Sequence, residues 1–507
     1  MRRSVKTSWQ NISDPVFHYA DQYPDRVALV DGTLQFTYRQ LAQRVAQAAV
    51  YLKNLGIQQG FPVGLVMGNH APHIILTLAV MRIGAVLVEL PTDISAPDLS
   101  ARISRFRIIA TCLDPDAPSS SAPLAVRIGP AWLDDIAGLA GDARADAAAE
   151  ALHIIVVSSG STGTPKGLVT TQRQRMLRAE TWWAQVNDGW TDAEPCTLTL
   201  LASPALSMFA QTLVIQILLG GTVVLLPKYQ TSIELVRAIQ AYDATICPVV
   251  PGIVRGFLDC APEEGVLFPK MRALVCAGLP LTGQEKQALV SRVTPQAHEI
   301  YGSGGFGAFA HLGPEDIATH RNSCGRPVVA PGNVIELVGP DEKPVPPGVE
   351  GRLRVRGPNA SLGFFNEEDN QRGGETFVDG WYYPGDVLLK DEAGYFYLRG
   401  RSDDAFVAGA LTVYPQEIED IITRHPDINE AIIVGRPDGN GLVELVGFLV
   451  VRNGLGHEAV VEHCMENLPP MKRPVAIRYL EALPRTGNGK IDRPALKQAA
   501  LSFPVQR

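Results

Sequence analysis

Cysteine is scarce and poorly arranged for chemistry. The seven in this 507-residue chain, Cys112, Cys196, Cys247, Cys260, Cys276, Cys324 and Cys464, are scattered, odd in number and never spaced Cys-X-X-Cys. That argues against a disulfide framework or a zinc site and for small buried hydrophobes in a reducing compartment. Positive charge is not in excess either: 45 Lys plus Arg stand against 53 Asp plus Glu, a net −8. This balance argues against a broad nucleic-acid or acidic-membrane surface and leaves room only for local basic pockets. Charge of any kind is missing from Pro195 to Pro227, 33 residues without Asp, Glu, Lys, Arg or His. Pro204, Gly220-Gly221, Ser203, Ser207, Gln211 and Gln216 interrupt that run, whereas a spanning helix needs about 20 consecutive apolar residues. Strand, loop, buried helix and strand are expected there, and no membrane span. The basic start MRRSVKTSWQ is followed by no apolar signal region, and a cytoplasmic location is expected.

What is present is an ordinary enzyme composition, 46% apolar and 19% charged, in a chain long enough for two or three domains. In YRQLAQRVAQAAVYLKNLG, Leu41, Val45, Ala48, Ala49 and Leu52 share one helical face and Gly56 supplies the stop. The run PVGLVMG follows as a buried strand, then APHIILTLAVMRIGAVLVEL as a helix entering another strand. This alternation predicts parallel strands with crossover helices, and it recurs at ATICPVV and MRALVCAG. DAPSSSAP, 116–123, is expected to be a surface loop, and AGDARADAAAEA, 140–151, a short helix or linker. After Pro327 the texture changes to NVIELVG, EGRLRVRG and GYFYLRGR, a mainly antiparallel β-rich subdomain over about 327–400. The fold class expected is α/β: a large N-terminal domain, 1–400, and a small α+β C-terminal domain, 405–507, joined through 401–404. In that small domain a helix begins near Pro415, and a last helix is expected near 457–467.

The strongest local signal is IIVVSSGSTGTPKGLVTT, Ile154 to Thr171. An apolar strand feeds a loop whose glycines let backbone amides turn toward oxyanions, while hydroxyls and Lys166 add donors and charge. It is not a Walker loop, because Pro165 stands five residues after Gly160 and Lys166 precedes a glycine rather than Ser or Thr.

This loop resembles the signature of the adenylate-forming superfamily, which includes acyl- and aryl-CoA synthetases, luciferases and peptide-synthetase adenylation domains. Further segments resemble that family in its own order: CAGLPL at 276–281, Tyr301-Gly302, GWYYPGD, GRSDDAFVAGALTVYPQEIE and PRTGNGKIDR. The resemblance implies a carboxylic acid or its adenylate, ATP and CoA as reactants, and a small mobile C-terminal domain. It implies catalytic roles for Lys490 and Lys166, and nucleotide contacts from Ser159, Gly160, Ser161, Thr162 and Gly163. Gly278, Leu279, Pro280, Glu299, Ile300, Tyr301, Gly302 and Ser303 would also contact the nucleotide, with Asp386 on the ribose hydroxyls and Arg401 near the ribose. Asp403 would be the hinge pivot; Ser207, Gly304 and Gly305 would border the acyl pocket. Ala408, Gly409, Ala410, Lys472 and Arg473 would meet CoA, although MKRP at 471–474 equally suits a plain surface segment.

The pattern breaks after Tyr301-Gly302. Family members place Thr and Glu where this chain has Gly304 and Gly305. Magnesium prefers oxygen ligands in strict octahedral geometry, and glycine offers neither a hydroxyl nor a carboxylate, so no metal ligand is assigned. Ser303 could replace the hydroxyl, and Glu299, Glu315 or Asp316 the carboxylate. Pro384 replaces a family Thr, and Ala410 and Leu411 replace a Gly and a polar residue. Losing even an indirect metal partner commonly costs about 10–100-fold, so ATP-dependent adenylation is expected to suffer more than the thioester half, which uses no ATP. Three functions follow as candidates: a thioester-forming enzyme fed acyl-AMP by a separate adenylating enzyme, a complete ligase with Mg²⁺ held differently, or a non-catalytic binding protein.

Overall fold

The computed structural model describes residues 9–140, 147–158, 165–187, 190, 196–200, 207–226, 229–278, 280–372, 375–408, 411–437, 443–452, 454–485 and 491–502. The chain forms two compact units. One comprises Met1–Ile335 with Val355–Tyr382, the other Glu336–Arg354 with Tyr383–Arg507.

Two mixed sheets build the first unit. Over the described residues, one runs edge to edge as Arg326–Pro327, Gly307–Leu312, Ala297–Ser303, Ala273–Ala277, Ile246–Val249, Thr197–Leu200, Thr222–Leu225, Val27–Asp31 and Leu34–Thr37. The other runs Gly363–Phe364, Lys166–Thr171, Leu152–Ser158, Val86–Glu89, Pro62–Val66, Ala110–Leu113 and Leu124–Arg127. Their interiors are parallel, as the alternating strand–helix pattern predicts, and antiparallel hairpins close the ends that carry the candidate site.

One core joins both sheets through helices. Leu29 and Val223 of one sheet and Leu65 and Leu87 of the other share a cluster with Ile75, Leu78, Leu213 and Leu218. Helix Ala71–Arg82 is buried on nearly every side, which explains why its sequence is apolar without a polar face. Helix Tyr38–Asn54 instead keeps one apolar stripe, and Leu41, Val45, Ala48, Ala49 and Leu52 are all buried. Thr37 and Gln40 form a reciprocal capping box at its start. The uncharged stretch resolves into strand Thr197–Leu200, helix Ser207–Leu219 and strand Thr222–Leu225. Among the described residues no helix is long and apolar enough to cross a membrane. None of the seven cysteines forms a disulfide, and burial pushes the Cys112 and Cys247 thiols up to about 12.

In the second unit, Glu350 to Arg352 pair antiparallel with Leu389 to Val387, and Asp386–Lys390 pairs with Phe396–Arg401. A further sheet of Ile428–Pro437, Val443–Val451 and Ala476–Tyr479 packs with helices Pro415–Ile422, His457–Asn467 and Arg493–Leu501. The helix at 457–467 is therefore not the last one. Arg493–Leu501 follows it, started by Asp492, whose carboxylate accepts Ala495 N–H at 3.0 Å, and by Pro494 in its first turn.

Candidate active site

The phosphate-loop motif lies at a hairpin. Leu152–Ser158 and Lys166–Thr171 pair antiparallel, with Ser158 opposite Lys166. Residues 159–164, including Ser159, Gly160, Ser161, Thr162 and Gly163, lie outside the described residues. Two contacts hold the hairpin's return strand. Arg105 donates to Pro165 O and pairs with Asp369 at 2.7 Å, and the Lys166 ammonium sits 5.2 Å from the Phe364 ring centroid. Gly167 is required by packing: a Cβ there would stand 2.4 Å from Ile155 Cγ2 and 2.8 Å from Phe106 Cε1.

The second cluster is the hairpin of Ala297–Ser303 and Gly307–Leu312. Ile300 is buried in this strand, and the Tyr301 ring packs edge-on to Phe309 with centroids 5.4 Å apart. Gly302 admits no side chain, since a Cβ would stand 2.1 Å from Gly307 O. The Ser303 hydroxyl is 3.2 Å from Tyr382 Oη and accepts Gly305 N–H at 3.3 Å. A Cβ on Gly305 would lie 2.4 Å from Tyr382 Cζ, while one on Gly304 would meet Val156 Cγ1 at 3.4 Å and Leu168 Cδ1 at 3.8 Å. Beneath this loop Arg178, from helix Gln172–Val186, donates to Gly304 O at 2.9 Å and Gly305 O at 3.1 Å. Burial, reinforced by nearby Arg175, pulls the Arg178 guanidinium down to about 9.

Of the alternative metal ligands, Glu299 is already engaged. Lys286 Nζ stands 2.5 Å from Glu299 Oε2, and Glu299 Oε1 accepts Leu281 N–H at 3.3 Å. Glu315 and Asp316 begin helix Pro314–His320, past the second strand of the hairpin. Among the described residues no group of three or more His, Cys, Asp or Glu is arranged to hold a metal ion. At this loop Gly304 and Gly305 bring no oxygen side chain to a Mg²⁺ ion, and Glu299 is held by Lys286. In the segment expected to face adenine, strand Ala273–Ala277 ends at Gly278, whose φ of +99° suits glycine, and Pro280 is exposed; Leu279 lies outside the described residues.

Two sequence-distant candidates in the second unit meet directly. Asp386 and Arg401 are register partners on adjacent strands, and Arg401 Nη1 lies 3.2 Å from Asp386 Oδ1. Gly385, at φ +88°, makes the turn, and its carbonyl accepts from both Ser402 N at 2.8 Å and Ser402 Oγ at 3.0 Å. Asp403 lies in the 3₁₀ turn Ser402–Asp404, and the neighbouring Asp404 reaches Lys497 at 3.4 Å.

Lys490, within 486–490, lies outside the described residues, but its flanks are fixed. Arg485 bridges Ile491, and Asp492 N–H donates to Pro484 O at 2.8 Å. Arg493 then pairs with the buried Glu419 at 2.7 Å, and Glu419 also accepts Ile433 N–H at 2.8 Å. The sequence motif singled out the lysine and missed this anchor. The signal was the arginine that ends PRTGNGKIDR, matched to the glutamate that ends the hinge segment.

The CoA candidates separate. Ala408 ends strand Phe406–Ala408, and Gly409 and Ala410 lie outside the described residues. Lys472 pairs with Glu417 at 2.6 Å, and Arg473 donates to Leu468 O and Met465 O at 2.8 and 2.7 Å. Both cations thus have partners within their own unit. Ser207 is the first residue of helix Ser207–Leu219, and nothing further is described of its side chain.

The chain matches the AMP-binding enzyme family over residues 16–365 and the AMP-binding enzyme C-terminal domain over 417–490. It is 28% identical over 482 residues to a 2-succinylbenzoate--CoA ligase of Bacillus cereus, spanning 94% of this chain and 96% of that one. It is 30% identical, with the same coverage, to a protein of the same name from Bacillus cytotoxicus. The crystal structure of the anthranilate CoA ligase AuaEII in complex with anthranoyl-AMP superposes with a TM-score of 0.85 at 25% identity, covering 98% of this chain and 99% of that one. The family models take in the phosphate-loop and Tyr301-Gly302 segments and reach Lys490, and the chain belongs to the AMP-binding enzyme family, in the acyl- and aryl-CoA synthetase branch of the adenylate-forming superfamily.

Proposed function

We propose that the protein makes CoA thioesters from acyl-adenylates, with thioester formation retained and ATP-dependent adenylation weakened or lost. The names of its relatives support an aryl or acyl carboxylic acid, its adenylate and CoA as the reactants. In the first half-reaction a carboxylate oxygen attacks the α-phosphorus of ATP and pyrophosphate leaves. That step brings an anion onto a polyanion and depends on positive charge and in-line placement. In the second, the CoA sulfur attacks the acyl carbon, a C–S bond forms, the acyl–oxygen bond to phosphate breaks, and AMP leaves. The thiol proton passes to solvent.

The observation carrying this reading is the wall at Gly305. Tyr382 occupies the space a side chain at 305 would need, Ser303 is engaged by Tyr382 and Gly305, and Glu299 is paired with Lys286. The loop is thus packed around the absence of the metal-side carboxylate rather than merely missing it. Asp386 with Arg401 would hold the ribose, Lys166 and the 159–163 loop the phosphates, and Ser207, Gly304 and Gly305 would border the acyl group. Ala408 to Ala410 would line the thiol's approach. A division into 1–400 and 405–507 about a hinge at 401–404, pivoting at Asp403, would let the small domain present different faces to the two half-reactions. A separate adenylating enzyme would then supply acyl-AMP.

The test is a paired assay with benzoate, anthranilate and 2-succinylbenzoate. Each acid is given with ATP, Mg²⁺ and CoA, or as its synthetic acyl-AMP with CoA. Thioester from acyl-AMP with little from ATP is the expected result. Rapid pyrophosphate release from ATP and acid would overturn it in favour of a complete ligase, the activity in its relatives' names.

A further inference from the structure

Helix Gln172–Val186 fastens one partner segment along a single face. Gln174 Nε2 donates to Ala360 O at 2.5 Å, Arg178 Nε to Asn359 O at 2.8 Å and Nη2 to Ser361 Oγ at 3.1 Å. Thr181 Oγ1 accepts from Asn359 Nδ2 at 3.2 Å. Positions 174, 178 and 181 follow the i, i+4, i+7 row that aligns side chains on a helix. Among these three, Arg178 alone also reaches the glycine loop, through Gly304 O and Gly305 O. Gly305 O receives a second donor, Ser361 N–H at 2.7 Å. Gly307, at φ +93°, leaves room for the arginine stem, since a Cβ there would stand 3.2 Å from Arg178 Cγ.

Arg178 is 3% exposed, and none of the described carboxylates pairs with it. A buried cation without an acid is costly unless dipoles replace the counter-ion. Here three carbonyls and a hydroxyl do so, and they demand the planar, directed donors of a guanidinium. An ammonium cannot meet all four from one point. The cost is retained at a loop whose own side chains, at 304 and 305, are absent.

We propose that Arg178 is a positioning residue for the nucleotide site: by tying the Gly304 and Gly305 carbonyls to segment 359–361, it holds the turn that follows strand Ala297–Ser303 in the shape that receives the adenylate. This rests on the reading of Tyr301 to Ser303 as nucleotide contacts. The measurement is therefore AMP affinity by titration calorimetry, which does not depend on which half-reaction survives.

Arg178→Lys is expected to weaken AMP binding by about tenfold or more, and Ser361→Ala by about threefold, consistent with loss of charge-assisted and single hydrogen bonds. Thr181→Val cuts a tie on the same helix face without touching the loop. It is expected to lower the melting temperature while AMP affinity stays within about twofold. If Arg178→Lys does not fold, Ser361→Ala against Thr181→Val decides. Unchanged affinity in the folded variants of the Arg178–Ser361 tie, or an equal loss in Thr181→Val, overturns the proposal. Tyr301→Ala separates it from the reading beneath it. Weakened AMP binding there with normal binding in Arg178→Lys rejects the positioning role alone, and normal binding in Tyr301→Ala rejects the nucleotide assignment.

Discussion

The Tyr382 ring stands against Gly305 so closely that a Cβ on that glycine would be 2.4 Å from Cζ and 2.7 Å from the phenol oxygen. The two residues are therefore energetically coupled. Gly305→Ala is expected to cost about 1–3 kcal/mol by overpacking, measured by denaturant titration. Tyr382→Leu in the same chain is expected to recover most of that loss. Additive effects of the two substitutions would contradict the packing.

Asp386 and Arg401 face each other at 3.2 Å beside the proposed ribose position. Asp386→Asn keeps the shape and removes the charge that would accept the ribose hydroxyls. Its KM for acyl-AMP is expected to rise about 10–100-fold with a smaller change in kcat, the range for losing hydrogen bonds to a charged group. Initial rates of thioester formation check this.

Lys490 carries the adenylation role in the resemblance. Lys490→Ala is expected to leave thioester formation from acyl-AMP within about threefold, because that half needs no new charge on a polyanion. Any residual pyrophosphate release from ATP is expected to disappear. A large loss in the acyl-AMP assay would assign the lysine to the wrong half.

The stacked pair His298 and His311, with Nδ1 and Nε2 3.0 Å apart, sets a pH dependence. Burial holds His298 down at about 3 and His311 at about 4, with His311 further lowering His298. Both are depressed below their unfolded value, so the unfolded chain binds more protons as pH falls below about 6.5. Stability is then full above about 6.5 and declines as pH falls toward the folded values, by about 1.4 kcal/mol per pH unit for each neutral imidazole. Urea midpoints at pH 7, 6 and 5 should fall in that order, and His298→Asn should flatten the slope.

Much of this fold was legible because local periodicity and burial agree. The face of Leu41, Val45, Ala48, Ala49 and Leu52 is buried as its spacing predicts, and the uncharged stretch divides where its glycines and prolines fall. Helix Arg493–Leu501 lies beyond the last helix expected at 457–467, although Asp492 and Pro494 mark its start. Within the candidate site, single residues in glycine-rich motifs were legible and their partners were not. Nothing near Glu299 in sequence names Lys286, thirteen residues earlier, as the cation that pairs with it.

The sequence alone determined the family, the order of its motifs and the loss of side chains at 304 and 305, since these depend on residue identity and spacing along the chain. Only the tertiary structure decided what fills the space those side chains left. Tyr382 and Arg178 are 77 and 127 residues from Gly305 in the chain. They meet it because strand pairing at Val355–Tyr382 and the packing of helix Gln172–Val186 bring ring and guanidinium to one glycine. Contacts of that range are fixed by packing across elements, which local sequence pattern does not encode.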